Sequence, residues 1–407
     1  MPNAQEPSDW REIGELEVRG SNDQTVSSHR RLTSAFYGSL ILLGLAAFPC
    51  LWVLKVPIRY AWSSFLAFYW IKLVHESIFF AAVLYVLASP REVKSMWDRW
   101  RQHKPKLLIG IVFLAEAIWI MGWLATLVVF VEVVSILQVL RWARSRALPV
   151  SGLLFSVLWP AVWMFLGLLV VSSYNNVIAT VRFYGAYDGL FNKMDTWLLM
   201  GMDVPSWSHK ASAMLPKGFF KFLDFVYFRM FAEVGAGIVI TTLHYGRRRG
   251  VALVGAIMLS YYAALILYYL WPSLGPFYVC LNHGMNLAGT EAHNIQKSLL
   301  VSLDSIWQQK SRGLMSFDYF VAFPCMHIVQ PLLVMWFLRR WKPFVVVLSL
   351  YNCILVASIV LLEWHYVVDL LGGVVVTLFS IWVIERVAPE CFHDQSEVGQ
   401  EVAACRA

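Results

Sequence analysis

Charge is what this chain has least of. Of its 407 residues 14% are Asp, Glu, Lys or Arg and 59% are apolar, whereas soluble domains carry about a quarter charged residues. An ordinary soluble protein is excluded. Cysteine is equally sparse: Cys50, Cys280, Cys325, Cys353, Cys391 and Cys405 are scattered, with no CxxC and no Cys/His pattern of metal-ligand spacing. Neither a disulfide framework nor a zinc site follows from such spacing. The sequence also lacks a Gly-rich phosphate loop or dinucleotide fingerprint, sustained heptads, internal repeats and low-complexity tracts. Its polar first 34 residues have no basic-then-apolar start and no small-residue cleavage site, so no removable signal peptide is expected. The excess of 33 Lys and Arg over 26 Asp and Glu, net +7, reads in this composition as topogenic and headgroup-facing charge, not as a nucleic-acid surface.

What takes the place of charge is apolar length. Runs of roughly 20 apolar residues, each able to cross about 30 Å of hydrocarbon as a helix, recur near 35–54, 61–88, 107–140, 150–173, 219–245, 251–271, 320–338, 343–362 and 366–386. The expected fold is all-α, a polytopic transmembrane helix bundle. Short basic loops stay in the cytoplasm. The clusters at 91–106, 141–146, 247–249 and 339–342 can all do so if 107–140, too long for one straight span, crosses twice or lies re-entrant or in-plane. Glu116, Glu132 and the Gly122 break fit that reading. The N-terminus and the tail after 388 then face the cytoplasm, while loops 174–218 and 272–319 and the junction 363–366 face the opposite side. In the first of these loops, 188–202 is amphipathic and reads as a helix lying in the interface, anchored by Trp197 and Trp207.

Ionisable residues at membrane depth are expensive and mark function. Two stretches carry them: Phe323-Pro324-Cys325-Met326-His327, and Glu363-Trp364-His365-Tyr366-Val367-Val368-Asp369 followed by Gly372-Gly373. Four residues apart, His365 and Asp369 share a face if the last span is helical there. The carboxylate can then take the hydrogen on one imidazole nitrogen and leave the other free to attack. His327 follows a proline near a helix start, where unpaired N–H groups favour an anion such as phosphate. A second histidine there could give its proton to a departing oxygen. Taken alone, H-x3-D is more often a helix-stabilising pair. The two motifs flanking one hairpin with a basic turn at 339–342 form a more specific layout, suited to phosphoryl transfer with one nucleophile, one acid and no metal needed.

On FPCMH at 323–327 and EWHYVVDLLGG at 363–373, with weaker echoes in FNKMDTWLLMG at 191–201 and LWPSLGPFY at 270–278, the sequence resembles the type-2 phosphatidic acid phosphatase superfamily, and within it most the inositol phosphorylceramide synthase branch. The resemblance covers roughly 174–386. It implies a six-helix phosphatidic acid phosphatase-like core with its site at the outer membrane surface. It also implies that His365 forms a phosphohistidine, Asp369 orients it and His327 protonates the leaving group. The implied substrate is a lipid phosphate or phosphodiester, and the acceptor is water, a polyol or a lipid alcohol, without a cofactor, metal or nucleic acid.

Two positions depart from the family pattern. The Ser of FPSxH is Cys325, a weaker donor to a phosphate oxygen, and the Arg of SRxxxxxHxxxD is Ile359. The inositol phosphorylceramide synthase branch tends to lack that Arg too, which favours a transferase over a hydrolase. No KxxxxxxRP, the family's first motif, is present. The phosphate charge must be balanced elsewhere. Arg229, inside a span, is the first substitute, though an i,i+4 ion pair with Glu233 is an equal reading. Lys217, Lys221, Lys310 and Arg312 lie on the same side and could bind substrate or merely headgroups. His75-Glu76 with Lys72 reads as a buried pair before a proton path, and His283, Glu291 and His293 have no metal spacing.

The expected organisation is a polar cytoplasmic N-terminus (1–34), membrane helices of unassigned role (35–173), a catalytic membrane domain (174–386) and a polar cytoplasmic tail (387–407). The protein would be a multi-pass membrane protein with an extracytoplasmic site, periplasmic or lumenal. A non-catalytic lipid-phosphate binding or transport protein on the same scaffold is the alternative, motivated by Cys325, Ile359 and the missing first motif.

Overall fold

The structure, a computed structural model, describes residues 187–279, 287–308 and 322–392, together with 34–43 and a few further residues up to 178. The expected spans 61–88 and 107–140, the 72–76 cluster, Cys280, His283, Lys310, Arg312 and the two polar termini lie outside the described residues.

Every described element is a helix, and no strand occurs among the described residues. In chain order they are α1 (Ser34–Leu43), then α2 (Asp188–Leu198), α3 (Val204–Met214), α4 (Lys217–Phe228), α5 (Met230–Tyr245), α6 (Arg247–Leu270), α7 (Pro276–Val279), α8 (Glu291–Trp307), α9 (Met326–Phe337), α10 (Lys342–Leu361) and α11 (Val367–Val387). Among the described residues α6, α10 and α11 are long and apolar enough to cross a membrane. Exposed Val346, Leu350 and Ile354 on α10, and Leu371, Val375, Leu378, Phe379 and Trp382 on α11, give these two helices a flank that suits hydrocarbon and not water.

The centre of the bundle is α9, which packs against α5, α6, α10 and α11. Its 12 residues reach only about 18 Å. Val329, Leu333, Val334 and Phe337 are fully buried, so α9 is stabilised by enclosure and not by its own length. Close approach of α5 depends on Gly237, where an added Cβ would fall 2.4 Å from Val334 Cγ1. At the far end of α9, Arg249 Nη2 donates to the Phe337 carbonyl at 2.8 Å. A cation therefore meets the negative end of the helix. The basic cluster 247–249 is thus not a loop but the first turn of α6, with Arg249 buried.

Two sequence expectations change form. The single span 219–245 is two helices, α4 and α5, meeting at Arg229, whose guanidinium lies 4.6 Å over the Phe225 ring. The described part of the 174–218 loop contains α2 and α3, beside which Trp197, Met200, Trp207 and Met214 are exposed. In α1, the Tyr37 hydroxyl donates to the Val251 carbonyl at 3.1 Å, and the Tyr262 hydroxyl of α6 donates to Leu40 at 3.0 Å. Helix α1 therefore docks directly on α6.

Candidate active site

Two chain reversals bring the histidines together. Helix α9 begins at Met326, immediately after Phe323-Pro324-Cys325, so His327 sits in its first turn. Helix α11 begins at Val367, so His365 stands just ahead of it. The His327 and His365 ring centroids are 5.5 Å apart and tilted by 60°. His327 is sandwiched edgewise by Phe231 and stacked on Tyr227 at 4.3 Å, and Tyr227 is itself stacked on Trp364 at 5.3 Å. These rings fix the imidazole's plane.

His365 and Asp369 do not meet as an i,i+4 pair on one helix face, because His365 precedes the helix. Asp369 is the third helical residue, and its Oδ2 turns back to accept the Tyr366 N–H at 2.8 Å, as an acidic N3 side chain commonly does. The same oxygen lies 3.5 Å from His365 Nδ1. The nearer partner of Nδ1 is the Ala322 carbonyl, at 2.7 Å. A carbonyl only accepts, so Nδ1 carries the hydrogen and Nε2 presents its lone pair. Cys325 is fully buried against the pair. Its N–H donates to the Asp369 carbonyl at 3.0 Å, and the close crossing needs Gly373, where a Cβ would lie 2.7 Å from the Cys325 carbonyl.

The start of α11 is held from outside by α2. Two buried carboxylates seven residues apart lie on one face of α2, two helical turns apart. Asp195 accepts the Val367 and Val368 N–H groups at 2.7 and 2.8 Å. Asp188 accepts the Gly275 N–H at 2.8 Å, the Leu274 N–H at 3.0 Å and the Tyr366 hydroxyl at 3.1 Å. Burial pushes both carboxyls up from the ordinary carboxylate range, and the donated bonds pull them back down. The 272–275 turn is in turn stitched to the segments around both histidines, since Ala322 N donates to Ser273 and Phe277 N to Glu363. Glu363 sits at φ +60°, and burial pushes its carboxyl up to about 7.

Not all expected residues assemble here. Lys217 and Lys221 are exposed on α4, and Arg229 is half-buried at the α4–α5 junction. None of the three is on the wall of the cavity that His327 and His365 line together with Tyr227, Met230, Phe231, Tyr261 and Gln330. Glu233 is engaged by Asn352 Nδ2 at 2.8 Å. Residues assigned no site role from the sequence are Asp188 and Asp195, whose signal was a pair of acids at helical spacing along the polar edge of 188–202, and the Ala322 carbonyl, which has no sequence signal. One Cys325, His327 and His365 ligand atom each lie within 4.8 Å of one another, near enough together for a metal ion. Spacing could not reveal that trio, because its members come from two motifs almost forty residues apart.

Among the described residues, an apolar helical bundle thus brings two histidines face to face beside the starts of α9 and α11. Residues 191–383 match the model of the PAP2 superfamily, the type-2 phosphatidic acid phosphatase superfamily that the two motifs resemble. The match supports that superfamily for the segment and takes in His327, His365 and Asp369. No curated protein and no solved structure matches the chain.

Proposed function

We propose that this protein is a multi-pass membrane enzyme that moves a phosphoryl or substituted phosphoryl group from a lipid phosphate or phosphodiester through a phosphohistidine, in the manner of the inositol phosphorylceramide synthase-like branch. The observation that carries the proposal is the 5.5 Å approach of His327 and His365, with Nδ1 of His365 held at Ala322.

The Nε2 lone pair of His365 attacks phosphorus and the N–P bond forms. As the P–O bond to the leaving alcohol breaks, its electron pair stays on oxygen, which takes the proton of the His327 imidazolium. Asp369 balances the positive charge that grows on the His365 ring. The acceptor hydroxyl then attacks phosphorus and gives its proton to His327. The N–P bond breaks, and both histidines return to their starting states.

Phosphate oxygens need donors, and Ile359 stands where classical phosphatases carry Arg. The start of α11 is already occupied, because Asp195 and Asp369 take its amides. Helix α9 has no side-chain cap, so its first amides, at Met326 and His327, and its positive dipole end remain to face the anion. The site sits where α9 and α11 begin and α10 ends, opposite the basic turn 339–342. With that turn in the cytoplasm the chemistry lies on the extracytoplasmic side. The apolar wall of the cavity disfavours water, which supports transfer to an alcohol over hydrolysis.

The test is turnover of labelled lipid phosphate by purified protein, with and without an added polyol. His365→Ala and His327→Ala should each lose at least about a thousandfold in rate while keeping the unfolding midpoint within a few degrees. An active His365→Ala protein ends this reading. Tight binding of lipid phosphate without release of phosphorus would instead establish a carrier on the same scaffold.

A further inference from the structure

One turn deeper than His327 on α9 is Gln330, fully buried and on the wall of the same cavity as both histidines. Its Nε2 donates to the Tyr261 hydroxyl of α6, while its Oε1 has no hydrogen-bond partner among the described residues. A buried carbonyl oxygen without a donor has given up its water hydrogen bonds for nothing, so such a group is retained where something supplies a donor. The neighbouring wall is apolar: Met230, Phe231, Ala264, Leu265, Leu299 and Met326.

We infer that Gln330 is a specificity-determining residue for the reaction proposed above, taking a hydrogen bond from a hydroxyl or amide N–H carried by the lipid beside its phosphate ester. A polyol offers many hydroxyls and would leave most of them unpaired against this wall. An apolar chain with one donor near its head matches the Gln330 Oε1 acceptor set among these apolar side chains. The rise from His327 to Gln330 is about 4.5 Å, three helical residues. The donor must therefore lie two or three bonds from the ester oxygen that His327 protonates. This inference rests on the proposed function only for which end of the lipid is the head; the pairing of donor and acceptor can be measured by binding.

Two chain-matched probes test it on the full-length protein in detergent: a lysophosphatidic acid, whose free hydroxyl stands beside the phosphate ester, and an alkyl phosphate of equal chain length without that hydroxyl. Equilibrium binding and kcat/KM are measured for each. The wild-type chain should prefer the hydroxylated probe by roughly tenfold or more. Gln330→Met, which keeps the volume but removes the acceptor, should bring the ratio close to one. Gln330→Glu, which keeps an acceptor at that position, should restore much of it, and this separates recognition from loss of fold. No preference in the wild type, an undiminished preference in Gln330→Met, or binding of neither probe overturns the inference. Preferential binding without any release of phosphorus would sink the proposed chemistry and leave the inference standing. Turnover of both probes at equal efficiency would do the reverse.

Discussion

Replacing Asp195 by Asn should loosen the start of α11 and slow the reaction without touching either histidine. Each Asp195 oxygen takes one first-turn N–H, at 2.7 Å from Val367 and 2.8 Å from Val368, and the side chain is fully buried. An amide has one acceptor oxygen and an NH2 in place of the other. One N–H of α11 therefore loses its partner and faces another donor, and the remaining bond is no longer charge-assisted. An orphaned buried donor costs about 1–3 kcal/mol and the lost charge adds to it, so the variant should be less stable by about 2–4 kcal/mol. His365 stands two residues before that turn, and misplacement of a reacting group by about 1 Å can cost on the order of a hundredfold in rate. Unfolding midpoints in detergent and steady-state kinetics on a lipid phosphate read both effects. The expected result is a lowered midpoint and a kcat reduced roughly 10- to 100-fold, with KM within about twofold. Lys193→Ala, on the exposed side of the same helix, should change stability by less than about 0.5 kcal/mol. Wild-type stability and kcat in Asp195→Asn would refute the idea that α2 positions the site.

Gly275→Ala should be far more damaging than Gly201→Ala although both glycines have positive φ, +110° and +95°. At 275 a Cβ would lie 2.2 Å from the Trp364 carbonyl, whereas at 201 it meets nothing. The second change should cost only the about 1–2 kcal/mol of left-handed backbone strain, and equal losses at the two sites would contradict the packing described. Glu363, pushed up to about 7 by burial, holds a proton between about pH 4.5 and 7 that the unfolded chain has released. Stability should therefore fall by about 3 kcal/mol as pH rises through that window and level off above it. Glu363→Gln should flatten the dependence, and an unchanged slope in that variant would exclude this carboxyl as its source. The approach of Cys325, His327 and His365 ligand atoms to within 4.8 Å predicts reversible inhibition by zinc, relieved by a chelator. Cys325→Ala should need at least roughly tenfold more zinc, and equal sensitivity would show that the ion binds elsewhere.

The long helices and the two histidine-bearing motifs were legible because each rests on a local signal. Apolar length alone marks α6, α10 and α11 within a residue or a few of their ends, and FPCMH and EWHYVVDLLGG stand out because ionisable groups are costly beside hydrocarbon. What stayed hidden depends on contacts between segments distant in sequence. The break at Arg229 is written in no proline or glycine, so 219–245 reads as one run. Asp188 and Asp195 look like the polar edge of an interfacial helix until α11 and the 272–275 turn are seen to donate to them. The role assigned to Asp369 from H-x3-D spacing assumes a helix through His365. The chain reaches a similar proximity by turning the carboxylate back over a helix start, and the closest hold on the imidazole is a backbone carbonyl, which no residue type announces.

Rapid quench of the protein with lipid phosphate labelled at phosphorus, followed by mapping of the label, reads the phosphohistidine itself. The label should survive alkali, be lost in acid, localise to His365 and be absent from His365→Ala. Product formation without any label on His365, or an undiminished label in His365→Ala, would contradict a phosphohistidine at that residue.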